Sequence, residues 1–146
     1  MINRQPIDYL DITLTKSVLD RMVKHCQSEL PNEACGYLAQ SDSIIDSIYP
    51  MTNIDASPDH FSFDPREQFA VVKQVRAAKQ RLAVVYHSHP ETPARLSAED
   101  LKLLNDPNMV YIIVSMVSNP PVVKAFKINK DADDINVSNV NIEVKE

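Results

Sequence analysis

The chain is organised around residues 81–90, which read RLAVVYHSHP. The segment is almost wholly apolar up to the histidines, which is typical of a strand that is buried on both faces. Successive side chains of a strand point to opposite faces, so His87 and His89 should lie on the same face. The stretch therefore predicts a central strand whose end carries two imidazoles directed to one side.

A second pair of polar residues follows this strand. Seven residues separate His89 from Ser97, and Asp100 comes three positions after Ser97. A Ser N-cap with an acidic residue in the first turn is a common start of a helix, which would explain Ser97 and Asp100 without any chemistry. Two buried imidazoles on one face, by contrast, each need a polar partner, and a shared metal ion would satisfy both.

If Asp100 converges on His87 and His89, the three side chains form a metal site with one position left open. A structural zinc site would take a fourth protein ligand, so this set is typical of a catalytic zinc centre. Two nitrogen ligands and one oxygen ligand suit Zn²⁺ best and leave Fe²⁺ or Mn²⁺ open. Zinc lowers the pKa of a bound water to about 7, and a carboxylate is then needed to move the proton.

Glu33 is the candidate for that carboxylate. It lies at the start of residues 32–39, a predicted strand that returns through residues 44–49 as a hairpin. Glu33 could instead be a solvated carboxylate at a strand end. Gly36 indicates a close approach of backbones, which would bring Glu33 near the histidine strand. Cys35 has no base beside it in the sequence, so we interpret it as a core residue rather than a nucleophile.

The rest of the chain predicts further helices and strands around this centre. Helices are expected at residues 15–30, at 64–80 and from Ser97, and strands at 60–63, 109–117 and 122–128. Residues 1–12 should form an extended lead-in, and residues 131–146 an edge strand or a frayed tail. The expected fold class is α/β, in the form of an α+β mixed sheet with flanking helices.

The composition narrows the classes of function. A chain of 146 residues with a net charge of −5 predicts one domain and argues against nucleic acid or an anionic membrane as a partner. The single glycine excludes a glycine-rich phosphate loop. No apolar run approaches the ~20 residues of a membrane span, and the N-terminus lacks the apolar region of a secretory signal. Two cysteines without a disulfide pattern favour a cytoplasmic location.

The polar residues together resemble the JAMM motif of the MPN-domain metalloproteases. That motif has a Glu, then His-[Ser/Thr]-His, seven residues, a Ser, two residues and an Asp. The match covers all five functional positions, which are Glu33, His87, His89, Ser97 and Asp100. Residues 32–38, which read NEACGYL, also resemble the small stand-alone members of bacteria and archaea.

The resemblance implies a fold, a cofactor and a set of roles. It implies a single MPN-like (cytidine-deaminase-like) domain over residues 1–146, with its core at about 14–128. It implies one zinc ion per chain with His87, His89 and Asp100 as ligands. Glu33 would be the general base and acid, and Ser97 would stabilise the oxyanion of the tetrahedral intermediate.

The resemblance also implies a class of substrate. Such enzymes cleave the peptide or isopeptide bond after the C-terminal glycine of a ubiquitin-like protein or of a ThiS/MoaD-like sulfur carrier with a Gly-Gly tail. The alternative is a non-catalytic MPN scaffold that mediates protein–protein interaction, although the degenerate members usually lose ligands and this chain keeps them all. A zinc deaminase would need H-x-E with P-C-x-x-C, and the sequence has neither motif.

Overall fold

A computed structural model describes residues 10–146 of the protein, so most of the expected N-terminal lead-in lies outside the described residues. The elements in chain order are β1 (Asp11–Thr15), α1 (Lys16–Ser28), β2 (Cys35–Ser41), β3 (Ile44–Met51), α2 (Pro65–Ala77), β4 (Arg81–His89), α3 (Ala98–Leu103), β5 (Val110–Ser115), β6 (Val122–Lys130) and β7 (Ile135–Lys145). Within residues 10–146, no helix is long and apolar enough to cross a membrane.

The three helices begin where the sequence predicts. Thr15, Asp64 and Ser97 are their N-caps, and the side chain of each accepts a hydrogen bond from a backbone N–H of the first turn. These bonds satisfy donors that a helix leaves unpaired at its start. The helical periodicity of the first helix buries one stripe, formed by Val18, Met22 and Cys26.

The seven strands form one mixed sheet that closes on itself in the order β1-β3-β2-β4-β5-β6-β7. β4 lies between β2, to which it is antiparallel, and β5, to which it is parallel. A mixed sheet with flanking helices confirms the predicted fold class. The interior residues 83–89 of β4 are buried, as its apolar sequence predicts.

The strand pairing of the C-terminal segment differs from the prediction. Residues 131–146 were expected to be an edge strand or a frayed tail, but β7 has partners on both sides. It pairs antiparallel with β6 and parallel with β1, over Asp11–Thr15. β1 brings a further strand to the side that would otherwise be the edge, so the alternating apolar residues of β7 help to close the sheet.

The prediction of a strand at residues 60–63 is wrong, because these residues form a loop. Within residues 10–146, their only ladder contact is an isolated bridge between Asn53 and Phe63. The two alternate phenylalanines that predict a strand instead pack their rings against aromatic side chains of β2 and β4. Phe63 packs on Tyr37 with ring centroids 4.8 Å apart, and Phe61 packs on His87 at 4.9 Å.

Alternation along β2 and β4 separates two apolar clusters. The cluster that includes the α1 stripe receives Leu38, Val84 and Tyr86, whereas the cluster that includes α2 receives Tyr37 and Val85. Over residues 35–39 of β2 and 84–86 of β4, odd-numbered residues face α2. The same alternation puts His87 and His89, at the end of β4, and Glu33, two positions before β2, on one side of the sheet. The closed sheet thus fixes which face carries the polar residues.

Gly36 allows a close approach, as the sequence indicates, but the neighbour is a side chain. Gly36 pairs with Tyr86 across the β2–β4 ladder. A Cβ atom at Gly36 would lie 2.5 Å from atoms of the Tyr86 ring, a distance that real Cβ atoms do not show. Gly36 therefore makes room for the buried Tyr86 ring on the face opposite to the histidines.

Candidate metal centre

The structure brings the two histidines and the aspartate together. The Nε2 atoms of His87 and His89 lie 3.2 Å apart. Asp100 Oδ1 lies 3.2 Å from His87 Nε2, and Asp100 Oδ2 lies 3.1 Å from His89 Nε2. All three residues are buried, and their ligand atoms lie within 4.8 Å of one another. This cluster is a group that could hold a metal ion.

Asp100 is held in place by the start of α3. The Ser97 hydroxyl accepts a hydrogen bond from the Asp100 N–H, and Asp100 Oδ2 accepts one from the Ser97 N–H, both at 3.0 Å. This reciprocal arrangement is a capping box. Asp100 thus caps the helix and also lies beside the two histidines. The two explanations that the sequence left open for Ser97 and Asp100 are therefore compatible.

The orientation of His89 is fixed by a backbone group. Its Nδ1 lies 2.9 Å from the Pro93 carbonyl oxygen, which can only accept a hydrogen bond. The proton of the neutral ring therefore resides on Nδ1, and the lone pair of Nε2 faces His87 and Asp100. A backbone carbonyl on the distal nitrogen is the usual support of a metal-binding imidazole.

The Asp100 carboxylate and the His89 imidazole shift each other's pKa values. Burial by itself would raise the pKa of Asp100, but hydrogen bonds from His87 and His89 and the charge of His87 outweigh it and hold that pKa well below its usual range. Burial would lower the pKa of His89, but the hydrogen bonds to Asp100 and Pro93 reverse the direction and raise it. Asp100 is therefore ionised at neutral pH, as a ligand must be.

The donor set fits a divalent cation. Two imidazole nitrogens lie 3.2 Å apart, and both are directed at one buried carboxylate. His87 Nδ1 and Glu33 Oε1 are buried atoms with no hydrogen-bond partner among residues 10–146. A cation bound between two nitrogens and one oxygen would relieve the crowding, and three ligands of this type suit an open zinc site.

Glu33 reaches the same face through the pairing of β2 with β4. The ladder places Cys35 opposite His87, and the backbone groups of Ala34 and Ser88 are bonded just beyond it. Continued by one more step, this register places Glu33 opposite His89. Glu33 is 4% exposed, and burial raises its pKa to about 8, with the charge of His89 opposing the shift.

The other candidate side chains do not join the centre. Cys35 is buried, and burial raises the pKa of its thiol to about 12, which agrees with a core residue and not with a nucleophile. His60 Nδ1 lies 2.9 Å from an Asp55 carboxylate oxygen, and His25 Nδ1 lies 2.7 Å from the Tyr86 hydroxyl. Both histidines thus have partners elsewhere.

Two features of the centre were not found from the sequence. The Phe61 ring stacks on His87 with an interplanar angle of 27°. Beside Asp100 lies a cavity of about 440 Å³, whose aromatic lining comes from Tyr37, Phe61, Phe63 and Tyr111. In the sequence, the phenylalanines at alternate positions 61 and 63 predict a strand and do not by themselves indicate a cavity lining.

The fold and the site define a JAMM-type hydrolase. Residues 15–129 match the family described as prokaryotic homologs of the JAB domain, so the chain belongs to this family. The matched range spans the positions of all five motif residues, and the family match confirms the resemblance that the sequence showed.

Curated relatives include peptidases. The chain is 34% identical over 106 residues to the CysO-cysteine peptidase of Mycobacterium tuberculosis, which covers 71% of this chain and 73% of the relative. It is 30% identical over 111 residues to the desampylase of Haloferax volcanii, which covers 71% of this chain and 80% of that protein. Both identities extend over most of each chain.

Solved structures show the same fold. The solution structure of a Desulfitobacterium hafniense protein is 44% identical, covers 92% of this chain and 93% of its own, and superposes with a TM-score of 0.83. A JAB1/MPN domain protein of Archaeoglobus fulgidus is 19% identical, covers 92% of this chain and 98% of its own, and gives a TM-score of 0.63. The second likeness supports the fold alone.

Proposed function

We propose that the protein is a zinc-dependent peptidase with one zinc per chain. Its substrate is the peptide or isopeptide bond after the C-terminal glycine of a ubiquitin-like protein or of a ThiS/MoaD-like sulfur carrier. The observation that carries this proposal is the convergence of His87, His89 and Asp100 beside Glu33, whose buried Oε1 has no partner within residues 10–146. The similarity to a CysO-cysteine peptidase and to a desampylase supports the class of substrate.

His87, His89 and Asp100 would hold the zinc. When bound, zinc supplies an acidified water and a Lewis acid for the scissile carbonyl. Asp100 contributes the negative charge, and its ionised form is favoured by both imidazoles. The Pro93 carbonyl keeps His89 in the tautomer whose Nε2 faces the site, so the ligand needs no rearrangement before it binds the metal.

Glu33 moves the proton. As a carboxylate it accepts a proton from the attacking water, and as a carboxylic acid it returns that proton to the leaving nitrogen. A buried carboxyl whose pKa is raised to about 8 exchanges protons readily near neutral pH. Because Glu33 Oε1 has no hydrogen-bond partner within the described chain, it is free to make both transfers.

Ser97 stabilises the developing oxyanion. Its oxygen accepts the Asp100 N–H bond, and among the described residues its hydroxyl donates to no acceptor. The hydroxyl proton is therefore available for an oxygen atom that becomes negative in the transition state. A preorganised donor of this kind contributes about 10²–10³ to kcat.

The burial of the centre supports a glycine tail as the substrate. His87 is fully buried, and His89 and Asp100 are nearly so. A protein substrate can reach such a site only through a narrow extended segment, and glycine has no side chain that would block it. The buried free thiols of Cys26 and Cys35 are compatible with a reducing cytoplasm, where we place the enzyme.

Intact mass spectrometry tests the proposal. The substrate is a ThiS/MoaD-type carrier that is extended by one amino acid beyond its Gly-Gly tail, and the control carries Ala-Ala in place of Gly-Gly. We expect the zinc-loaded protein to remove the added residue from the first carrier and to leave the control intact. Binding of carriers without cleavage would support a scaffold instead.

A further inference from the structure

We infer that Asn53 is a positioning residue, whose side-chain amide holds the backbone of Glu33 so that its carboxylate faces the metal centre. The inference rests on the proposed role of Glu33 as general base. Asn53 lies twenty positions after Glu33 in the chain, in the loop between β3 and α2. It belongs to neither the metal ligands nor the residues of the motif.

The carboxylate of Glu33 is not held by bonds of its own. Glu33 Oε1 is buried and has no hydrogen-bond partner among the described residues. Its direction is therefore determined by the backbone that carries it. That backbone is fixed on the loop side by two bonds, in which the Glu33 N–H donates to the Ser57 carbonyl at 2.9 Å and the Glu33 carbonyl accepts from Asn53 Nδ2 at 3.0 Å.

The opposite side of the same peptide segment is bonded to β4. The Ala34 N–H donates to the Ser88 hydroxyl at 2.8 Å, and the Ala34 carbonyl accepts from the Ser88 N–H at 3.0 Å. Residues 33 and 34 are thus held between β4 and the loop. Asn53 is the residue on the loop side whose side chain makes this connection.

The amide of Asn53 uses its full hydrogen-bonding capacity. Nδ2 donates to the carbonyls of Glu33 and His60, both at 3.0 Å, and has a longer contact of 3.5 Å with the Ser57 carbonyl. Oδ1 accepts from the N–H groups of Asp55 and Ser62, at 3.1 and 3.2 Å. Asn53 is 8% exposed, so water cannot replace these bonds cheaply.

This pattern selects asparagine at position 53. An amide has two donors and one acceptor oxygen with two lone pairs, and all four are used here. Aspartate has the same shape but no donor, so it would present an oxygen to the carbonyls of Glu33 and His60. Serine is shorter and can keep only one of the two donor bonds.

Asn53→Ser and Asn53→Asp test the inference in the zinc-loaded protein. We expect kcat to fall by about 10- to 100-fold, because a misplacement of about 1 Å in a catalytic group has that effect. KM should change by less than about threefold and the zinc content should stay at one per chain, since none of the hydrogen bonds of the Asn53 side chain involves His87, His89 or Asp100. Asn139→Ser, at an exposed position on β7, is the matched control and should leave kcat unchanged.

Amide hydrogen exchange supplies a readout that does not depend on cleavage. In folded Asn53→Ser, the Glu33 N–H should exchange at least about tenfold faster than in the wild type, while N–H groups of the β2–β4 ladder keep their rates. Asn53→Asp serves if the serine variant does not fold. Folded variants with unchanged Glu33 exchange, or with wild-type kcat, overturn the inference. A wild-type protein that cleaves no carrier contradicts the proposed function instead and leaves the exchange result valid.

Discussion

The two faces of β4 differ in whether the buried polar groups beside them have hydrogen-bond partners. On the face toward α1, the Tyr86 hydroxyl pairs with His25, and Ser88 bonds both backbone groups of Ala34. On the other face, His87 Nδ1 and Glu33 Oε1 are buried without partners in the described chain. Buried polar groups are normally satisfied, and exceptions concentrate where a protein performs chemistry. The contrast therefore separates a supporting face from a reactive face within one strand.

The largest effect should follow from removing a ligand on the reactive face. We expect His89→Ala to lose the zinc and with it all cleavage, because only two ligands remain. Inductively coupled plasma mass spectrometry of the purified protein measures the metal directly. His60→Ala is the matched control, since His60 bonds Asp55 and should leave the zinc in place. Zinc retained at full stoichiometry by His89→Ala would rule out the assigned ligand set.

A smaller effect concerns stability, and it should depend on pH. The folded-state pKa of Glu33 is raised to about 8 by burial, above its ordinary value of 4.5, so the folded protein holds this proton more tightly than the unfolded chain. As pH rises from about 4.5 to 8, the metal-free wild type should therefore lose stability relative to Glu33→Gln, by about 1–3 kcal/mol. Below that window the difference should no longer depend on pH.

Urea unfolding of the two metal-free proteins at pH 5 and pH 8.5 measures this difference. Asp133→Asn, which removes an exposed carboxylate, is the matched control for the loss of one negative charge. A pH-independent gap between the wild type and Glu33→Gln would contradict the burial of an ionisable carboxyl on the reactive face.

The smallest effect belongs to the supporting face. Tyr86→Phe removes the hydroxyl that pairs with His25 at 2.7 Å, and we expect a loss of about 0.5–1.5 kcal/mol of unfolding free energy. The zinc content and kcat should stay within about twofold of the wild type, because Tyr86 faces α1 and not the centre. A large fall in kcat with normal stability would mean that the two faces are coupled.

Local patterns were sufficient to predict that His87, His89 and Asp100 lie together. The period of a strand puts His87 and His89 on one face, and a Ser N-cap with its acidic partner puts Asp100 at a helix start. These inferences need only a few neighbouring residues. The helix starts at Thr15 and Asp64 were predictable for the same reason.

Long-range pairing could not be predicted in the same way. The position of Glu33 depends on the register of β2 against β4, which the sequence suggests but does not determine. The closure of the sheet through β7 depends on which strand meets it, and alternation alone does not name the partner. The sequence does not indicate a role for Asn53. Its amide bonds to backbone carbonyl and N–H groups that come together only in the folded loop.

Glu33→Gln in the zinc-loaded protein is the most direct test of the catalytic centre. The substitution keeps the size of the side chain and the three ligands but removes the group that accepts a proton. Intact mass spectrometry of the extended Gly-Gly carrier should show cleavage by the wild type and a rate lower by about 10²–10⁴ in the variant, with one zinc in each protein. Equal rates of cleavage in the two zinc-loaded proteins would contradict the assignment of Glu33 as the general base.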